Sequence, residues 1–421
     1  METPHRRGED ARTPLKRILL LCPEPLAHRR PAGVGIRFLE IARVLRQDGH
    51  SVTILSPDGG AVEGCEAAVL NPENIASSSA AADAAVVQGH AANDFFAHAS
   101  AIPTAVDLYD PYLIENLHYY PERGGEVFAH DHATLLNSLL HGDVFLCASE
   151  AQRLFYLGAM TAVGRVNPAL VANDPSLQAL LRIAPFGVHD RGPLPEMARS
   201  PAVLFGAIYD WYDPIAAIDA VRLASGKIPG LTLTFTRHPN PALTPQGKLA
   251  EAISYVGEKR LQDIVRFEPW IPYADRDAFY RRFRLTLLTF SPSIETDLAM
   301  RTRVYDSLWA GLPVITSSAP GTDELLLRYG AGVVMKEKSA EAFADLLAAL
   351  LSDEGRLQSM RTATHAFVAD HQWERVLAPL RDWCAQPQFD GTRTDFAVRF
   401  SVPEQTASIF DRLRRRIGGR R

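Results

Sequence analysis

Arg301-Thr-Arg-Val-Tyr-Asp-Ser-Leu-Trp-Ala-Gly-Leu-Pro-Val-Ile-Thr-Ser-Ser-Ala-Pro-Gly-Thr-Asp-Glu324 reads as a helix, a tight turn, a short buried strand, a loop and the start of another helix. Helical spacing over Met300–Trp309 makes Val304, Leu308 and Trp309 a buried stripe. Arg301, Arg303 and Asp306 lie on the early part of that helix. Arginine grips phosphate oxygens in a planar fork and keeps its charge. The segment therefore predicts an α/β unit that presents cations to a phosphorylated ligand. An i,i+3 surface pair of Arg303 with Asp306 is the plainer alternative, weakened by the apolar stripe beside it.

The same alternation runs outward in both directions. Arg17–Cys22 is a continuous apolar run, expected of a strand buried on both faces. Gly35–Gly49 follows with helical spacing through Phe38, Ile41, Ala42 and Leu45, and Ser51–Leu55 is the next strand. This is a right-handed βαβ unit. Further strands are expected at Ala84–Gln88, Thr104–Leu108, Val144–Ala148 and Ile183–Pro185, with helices at Leu135–Leu140 and Ala151–Ala162. Residues 190–200 have linker composition. A second alternation then begins, with strands at Ala202–Phe205, Leu231–Phe235, Val265–Phe267 and Leu285–Phe290. Its expected helices are Ile215–Ser225, Leu261–Ile264 and Ala340–Leu351. The alanine- and serine-rich stretch near 76–85 reads as low complexity.

The fold class predicted is α/β, with two doubly wound Rossmann-like domains facing across a cleft. A first domain at 16–190 and a second at 201–385 are expected, between a disordered lead-in at 1–15 and a basic tail at 386–421. The last helices are expected to pack back on the first domain. Ligands of such sheets bind at the carboxyl ends of the strands, beside helix N-termini.

The 421 residues carry a net charge of -5, which argues against wholesale nucleic-acid binding. Hydrophobic content of 47% and charged content of 22% are ordinary for a globular chain. Cys22, Cys65, Cys147 and Cys384 form no metal-type pair and read as thiols of a reducing cytoplasm. The polar N-terminus is not a secretory signal, and no run approaches the length of a membrane span. No metal-ligand cluster, Walker loop or nucleophile elbow is present. Chemistry by positioning and electrostatics is expected.

Several other positions invite function. The Gly33-Val-Gly-Ile-Arg37 loop precedes a helix, where Gly35 lets a phosphate or sugar approach and Arg37 faces an acceptor. A tight βα turn explains the same glycines. Asp107, Tyr109, Asp110 and Glu115 end a strand, and carboxylates there accept hydrogen bonds from sugar hydroxyls. Asp110 followed by Pro111 is also a good helix cap. Trp211, Asp213, Arg237, His238, Trp270, Tyr273 and Glu295 lie at other strand ends, and Arg237, Trp270, Tyr273 and Glu295 are expected among the donor-binding residues. Trp270 or Tyr273 is placed to stack on a nucleobase, although core packing accounts for a lone aromatic more readily.

With these residues in view, the chain resembles the GT-B glycosyltransferases, within them family 4, over roughly residues 16–385. The resemblance rests on Gly33 through Leu55, Ala148-Ser-Glu150, Pro185-Phe-Gly-Val188 and, most specifically, Trp309-Ala-Gly-Leu-Pro-Val-Ile315. It implies a nucleotide-diphosphate sugar donor, a glycan or lipid-linked acceptor, retention of configuration and no metal. Asp306 matches the family's ribose-binding glutamate, Asp110 a histidine near the reacting carbon, and Trp270 the nucleobase region. The family's pair of glutamates eight residues apart is missing: Glu295 stands too early. The basic pair after the first strand of the second domain is replaced by Phe205-Gly-Ala-Ile-Tyr-Asp-Trp-Tyr-Asp213. Arg301 and Arg303 are expected to take over its work on the diphosphate. The Asp-Leu-Tyr-Asp-Pro, Gly-Ala-Ile-Tyr-Asp-Trp and Arg-Thr-Arg elements resemble a bacterial surface-polysaccharide subgroup. The alternatives are a nucleotide-sugar epimerase on the same fold and a catalytically silent interaction module. Residues 406–421 combine a basic face with Ile409, Phe410, Leu413 and Ile417, which suits contact with an anionic membrane at the inner face of the plasma membrane. A disordered tail, or one packed on the other domain, is the alternative.

Overall fold

A computed structural model of the chain describes residues 15–27, 31–238, 246–337 and 339–395. Two wholly parallel sheets organise it. The first contains β1 (Arg17–Leu21), β2 (Ser51–Ser56), β3 (Glu66–Val69), β4 (Ala84–Val87), β5 (Thr104–Asp107), β6 (Val144–Cys147) and β7 (Leu181–Ile183), in the order β3-β2-β1-β4-β5-β6-β7. The second contains β8 (Ala202–Ala207), β9 (Thr232–Thr236), β10 (Val265–Glu268), β11 (Leu285–Leu288), β12 (Val314–Ser317) and β13 (Gly332–Met335), in the order β10-β9-β8-β11-β12-β13. Both are doubly wound, and the order reverses between β1 and β4 and between β8 and β11.

Burial on both faces explains the apolar runs. Ile18 and Leu20 share one core with Phe38, Ile41, Val44 and Leu45 of the helix Gly33–Gln47. Leu19 and Leu21 point the other way, into a second core with Ala91, Ala92 and Phe95 of the helix Gly89–His98. The first of these cores continues into the second half of the chain. Helices Trp373–Val376 and Ala378–Ala385 return to the first half. There Arg43 bonds Glu374 at 2.6 Å, and Arg381 bonds Asp48.

Three expectations change. Leu261–Ile264 is a turn, and the helix lies earlier, at Gly247–Glu258 with Leu249, Ala252 and Val256 buried. The alanine- and serine-rich stretch holds the end of a helix, Pro72–Ala81, capped by the Asn71 side chain, and the start of β4. The helix of the opening segment runs Thr302–Trp309, with Arg301 as its cap residue. Cys22, Cys147 and Cys384 are buried, Cys65 is half-buried, and all four are free thiols. Among the described residues no helix is long and apolar enough to cross a membrane. Residues 1–14 and the basic segment 406–421 lie outside the described residues.

Candidate active site

A cleft of about 360 Å³ opens between the carboxyl ends of the two sheets. The first half contributes Glu24, Gly33, Tyr109, Asp110, Glu115 and Asn116. The second contributes Gly206, Tyr209, Trp211, His238, Trp270, Tyr273, Arg276, Arg301, Arg303 and Asp306.

On the second-half wall, the helix Thr302–Trp309 points its N-terminus at the cleft. It has no side-chain cap and no acidic residue in its first turn. Unsatisfied amides and the helix dipole favour an anion there. Arg303 sits in that first turn. Its Nη1 donates to the Phe205 carbonyl at 3.1 Å, and its guanidinium lies 4.3 Å from the Tyr212 ring centre. Its seat is a bulge in β8 at Gly206, where φ is +87°. A Cβ built on Gly206 would lie 3.6 Å from the guanidinium. Arg303 therefore brings a cation to the carboxyl end of β8, in the Phe205–Asp213 segment that carries no basic residue of its own.

Asp306 lies one turn further on. Burial raises its pKa, against the pull of Arg276, whose Nη1 is 3.5 Å away. Arg276 is sandwiched over Tyr273 at 3.9 Å and Trp309 at 4.3 Å. Sequence reading missed Arg276, although it stands three residues beyond Tyr273 in the same loop and helix.

Arg301 and Glu295 have another use. Arg301 is 5% exposed, and its Nη2 donates to Glu295 Oε2 at 2.7 Å while Nη1 bonds the other oxygen. Glu295 is fully buried and outside the cleft lining, so it is no donor ligand. Arg301 reaches the lining, but its fork is spent on this carboxylate, as a buried charge requires.

Arg37 differs more sharply. It is completely buried, paired with Asp107 at 2.6 Å, and donates to the Ala184 and Pro185 carbonyls. It holds β5 and the segment after β7 to the first helix and cannot contact an acceptor. Gly35 also serves the chain itself. Its amide and that of Ala32 donate to Glu24 Oε2 at 3.0 and 3.1 Å, and a Cβ on Gly35 would fall 2.7 Å from that oxygen. Glu24 thus fills the N-terminus of Gly33–Gln47. It is the other residue sequence reading missed, in the segment between β1 and that helix. Arg237 is exposed beyond β9 and outside the lining, whereas Thr236 and His238 on either side of it line the cleft.

Asp110 and Glu115 hydrogen-bond each other across the first-half wall. Burial, then the carboxylates of Asp107 and Glu295, push Asp110 up to about 6. Burial and Asp110 hold Glu115 well above the ordinary range. Burial likewise pushes Glu24 up to about 7, against its two amide donors. Tyr109 stands beside them, its hydroxyl 3.4 Å from the Met300 carbonyl. One wall is therefore acidic and proton-poised, and the other offers cations and aromatic rings. Trp270 and Tyr273 lie on that second wall. Among the described residues no three His, Cys, Asp or Glu side chains are grouped to hold a metal ion.

Residues 238–366 match the family described as Glycosyl transferases group 1. No curated protein matches the chain by sequence. Solved structures share its architecture. HepE of Anabaena, in complex with UDP-glucose, aligns at TM-score 0.63 and 15% identity over 88% of this chain and 98% of that one. The sucrose-phosphate synthase of Thermosynechococcus elongatus aligns at TM-score 0.63 and 14% identity, over 88% and 98%. WaaG, a glycosyltransferase involved in lipopolysaccharide biosynthesis, aligns at TM-score 0.60 and 14% identity, over 88% and 100%. At these identities the shared property is the GT-B fold. The architecture of the whole chain is thus the GT-B fold, and residues 238–366 are similar in sequence to the group 1 glycosyl transferases.

Proposed function

We propose that the chain moves a sugar from a nucleoside diphosphate sugar to a hydroxyl of a glycan or lipid-linked acceptor, in bacterial cell-surface polysaccharide synthesis. The observation that carries this reading is the open N-terminus of Thr302–Trp309 with Arg303 beside it. The diphosphate binds there. As the bond from sugar C1 to the phosphate oxygen breaks, its electron pair goes to the diphosphate. Arg303 and the first helical amides stabilise that charge without a metal. Asp306, with Arg276, receives the ribose hydroxyls, and Trp270 lies beside the base. The acceptor oxygen forms the new bond to C1 and gives its proton to Asp110. With a pKa of about 6, Asp110 is ionised at neutral pH yet more basic than an ordinary aspartate. The UDP-glucose complex of HepE and the lipopolysaccharide role of WaaG support the donor and pathway. Retention, as in family 4, belongs to the same reading: the acceptor oxygen enters C1 on the face that the diphosphate leaves, and Asp110 takes the proton on that side.

Thermal-shift measurements with UDP, GDP and their sugars test it. At least one is expected to raise Tm. Arg303→Ala should weaken that nucleotide by about 2 kcal/mol, roughly thirtyfold, with little change in the Tm of the free protein. No shift with any nucleotide, or an unchanged affinity in Arg303→Ala, contradicts the proposal.

A further inference from the structure

Glu40 lies on the inner face of Gly33–Gln47, outside the cleft lining, and is only 5% exposed. A carboxylate that deeply placed needs donors, and Glu40 draws them from three parts of the chain. Arg43 of the same helix gives Nε at 2.6 Å. His189, in the segment that crosses from β7 to β8, gives Nε2 at 2.7 Å. Tyr273, from the second half, gives its hydroxyl at 3.4 Å. Burial raises the Glu40 pKa, but the bonds from His189 and Arg43 outweigh it and hold the carboxyl below its usual range. Glu40 is thus an anion in this arrangement, and a good acceptor.

The Tyr273 contact reaches the cleft. The other face of that residue's work is Arg276, whose guanidinium rests 3.9 Å from the Tyr273 ring centre and pairs with Asp306. The hydroxyl of Tyr273 therefore reaches the first half while both its ring and its oxygen engage an arginine of the second-half wall. A rotation of one half against the other would separate Glu40 from Tyr273 before it disturbed the Arg276–Asp306 pair itself. The crossing segment is held at the same place, since His189 follows Val188, which bridges to Gln372.

We infer that Glu40 is a positioning residue for the nucleotide: by binding the Tyr273 hydroxyl when the halves stand together, it fixes Tyr273 and Arg276 against Asp306. Nucleotide affinity is then coupled to the juxtaposition of the two halves through one hydrogen bond. The inference rests on the cleft being a nucleoside diphosphate site, as proposed above.

The test is a double-mutant cycle read by calorimetric titration with UDP and GDP, using Tyr273→Phe, Glu40→Ala and the pair. Tyr273→Phe keeps the ring under Arg276 and removes the hydroxyl with its bonds to Glu40 and to Arg276, whereas Glu40→Ala removes only the first. Each single variant is expected to weaken the nucleotide that binds wild type by roughly fivefold, the size of one net hydrogen bond. The double variant should be no weaker than the worse single. Glu40→Gln, which retains an acceptor oxygen and the packing, should restore most of the affinity. A merely structural Glu40 would lower Tm without this pattern. Normal binding in Tyr273→Phe, or losses that multiply in the double variant, would overturn the inference alone. If wild type binds neither nucleotide, the reading of the cleft falls and this inference with it. Should Glu40→Ala fail to fold, the Glu40→Gln and Tyr273→Phe arms still decide.

Discussion

The two halves present a helix N-terminus to one cleft, and they treat it in opposite ways. Gly33–Gln47 receives its acceptor from within the chain: Glu24 reaches back and accepts from the Ala32 and Gly35 amides. Thr302–Trp309 receives none, having neither a side-chain cap nor an acid in its first turn. The arginines divide along the same line. Arg37 of the first half is sealed against Asp107, while Arg303 of the second faces the cleft from an aromatic seat. Two sheets of like topology thus supply one wall that is electrostatically complete and one that awaits a charge from outside. On the function proposed above, the shared fold does not decide where the diphosphate binds; a single carboxylate in one loop does.

The largest test of that contrast is Arg37→Ala. Breaking a fully buried pair leaves Asp107 uncompensated, so urea denaturation should show a loss of about 3–5 kcal/mol. A loss below about 1 kcal/mol, joined to weaker nucleotide binding, would mean that Arg37 works in the cleft after all.

A smaller effect comes from Glu24→Gln, which keeps an oxygen for the two amides and removes the charge. Glu24 has a folded pKa of about 7, above its value in an unfolded chain. The folded state therefore binds the extra proton, and stability is lost as pH rises from about 4.5 through 7. The variant escapes that loss. It should be more stable than wild type by about 1 kcal/mol at pH 8, after allowance for screening through the open cleft, and equal to it near pH 5. A difference independent of pH would show that Glu24 is not held in this state and would weaken the contrast between the two helices.

Much of the fold was legible because its strands are buried on both faces. Arg17–Leu21 and Val144–Cys147 announce themselves as apolar runs. The edge strand Glu66–Val69 does not: three of its four residues are exposed, so nothing in its sequence demands burial. The helix Gly247–Glu258 hides for a related reason, since only Leu249, Ala252 and Val256 are buried among polar neighbours. Arg303, Asp306, Trp270 and Tyr273, singled out in the sequence, all line the cleft, because a helix start and the segment after a strand carry them there. The commitments of Arg37 and Arg301 were not legible. Asp107 lies 70 residues from Arg37, and six residues separate Glu295 from Arg301 across a turn whose geometry no periodicity reveals. A charged residue at a strand end looks the same in sequence whether its partner is a ligand or the protein itself. Glu24 shows the converse: a loop carboxylate became important only through the helix it faces.

The most direct measurement of the central claim is a crystal structure with the nucleoside diphosphate that gives the largest thermal shift. The diphosphate should lie within hydrogen-bonding reach of the Thr302 and Arg303 amides and the Arg303 guanidinium, with Glu24 still bonded to Ala32 and Gly35. A diphosphate seated instead at the start of Gly33–Gln47, with Glu24 displaced, would contradict it.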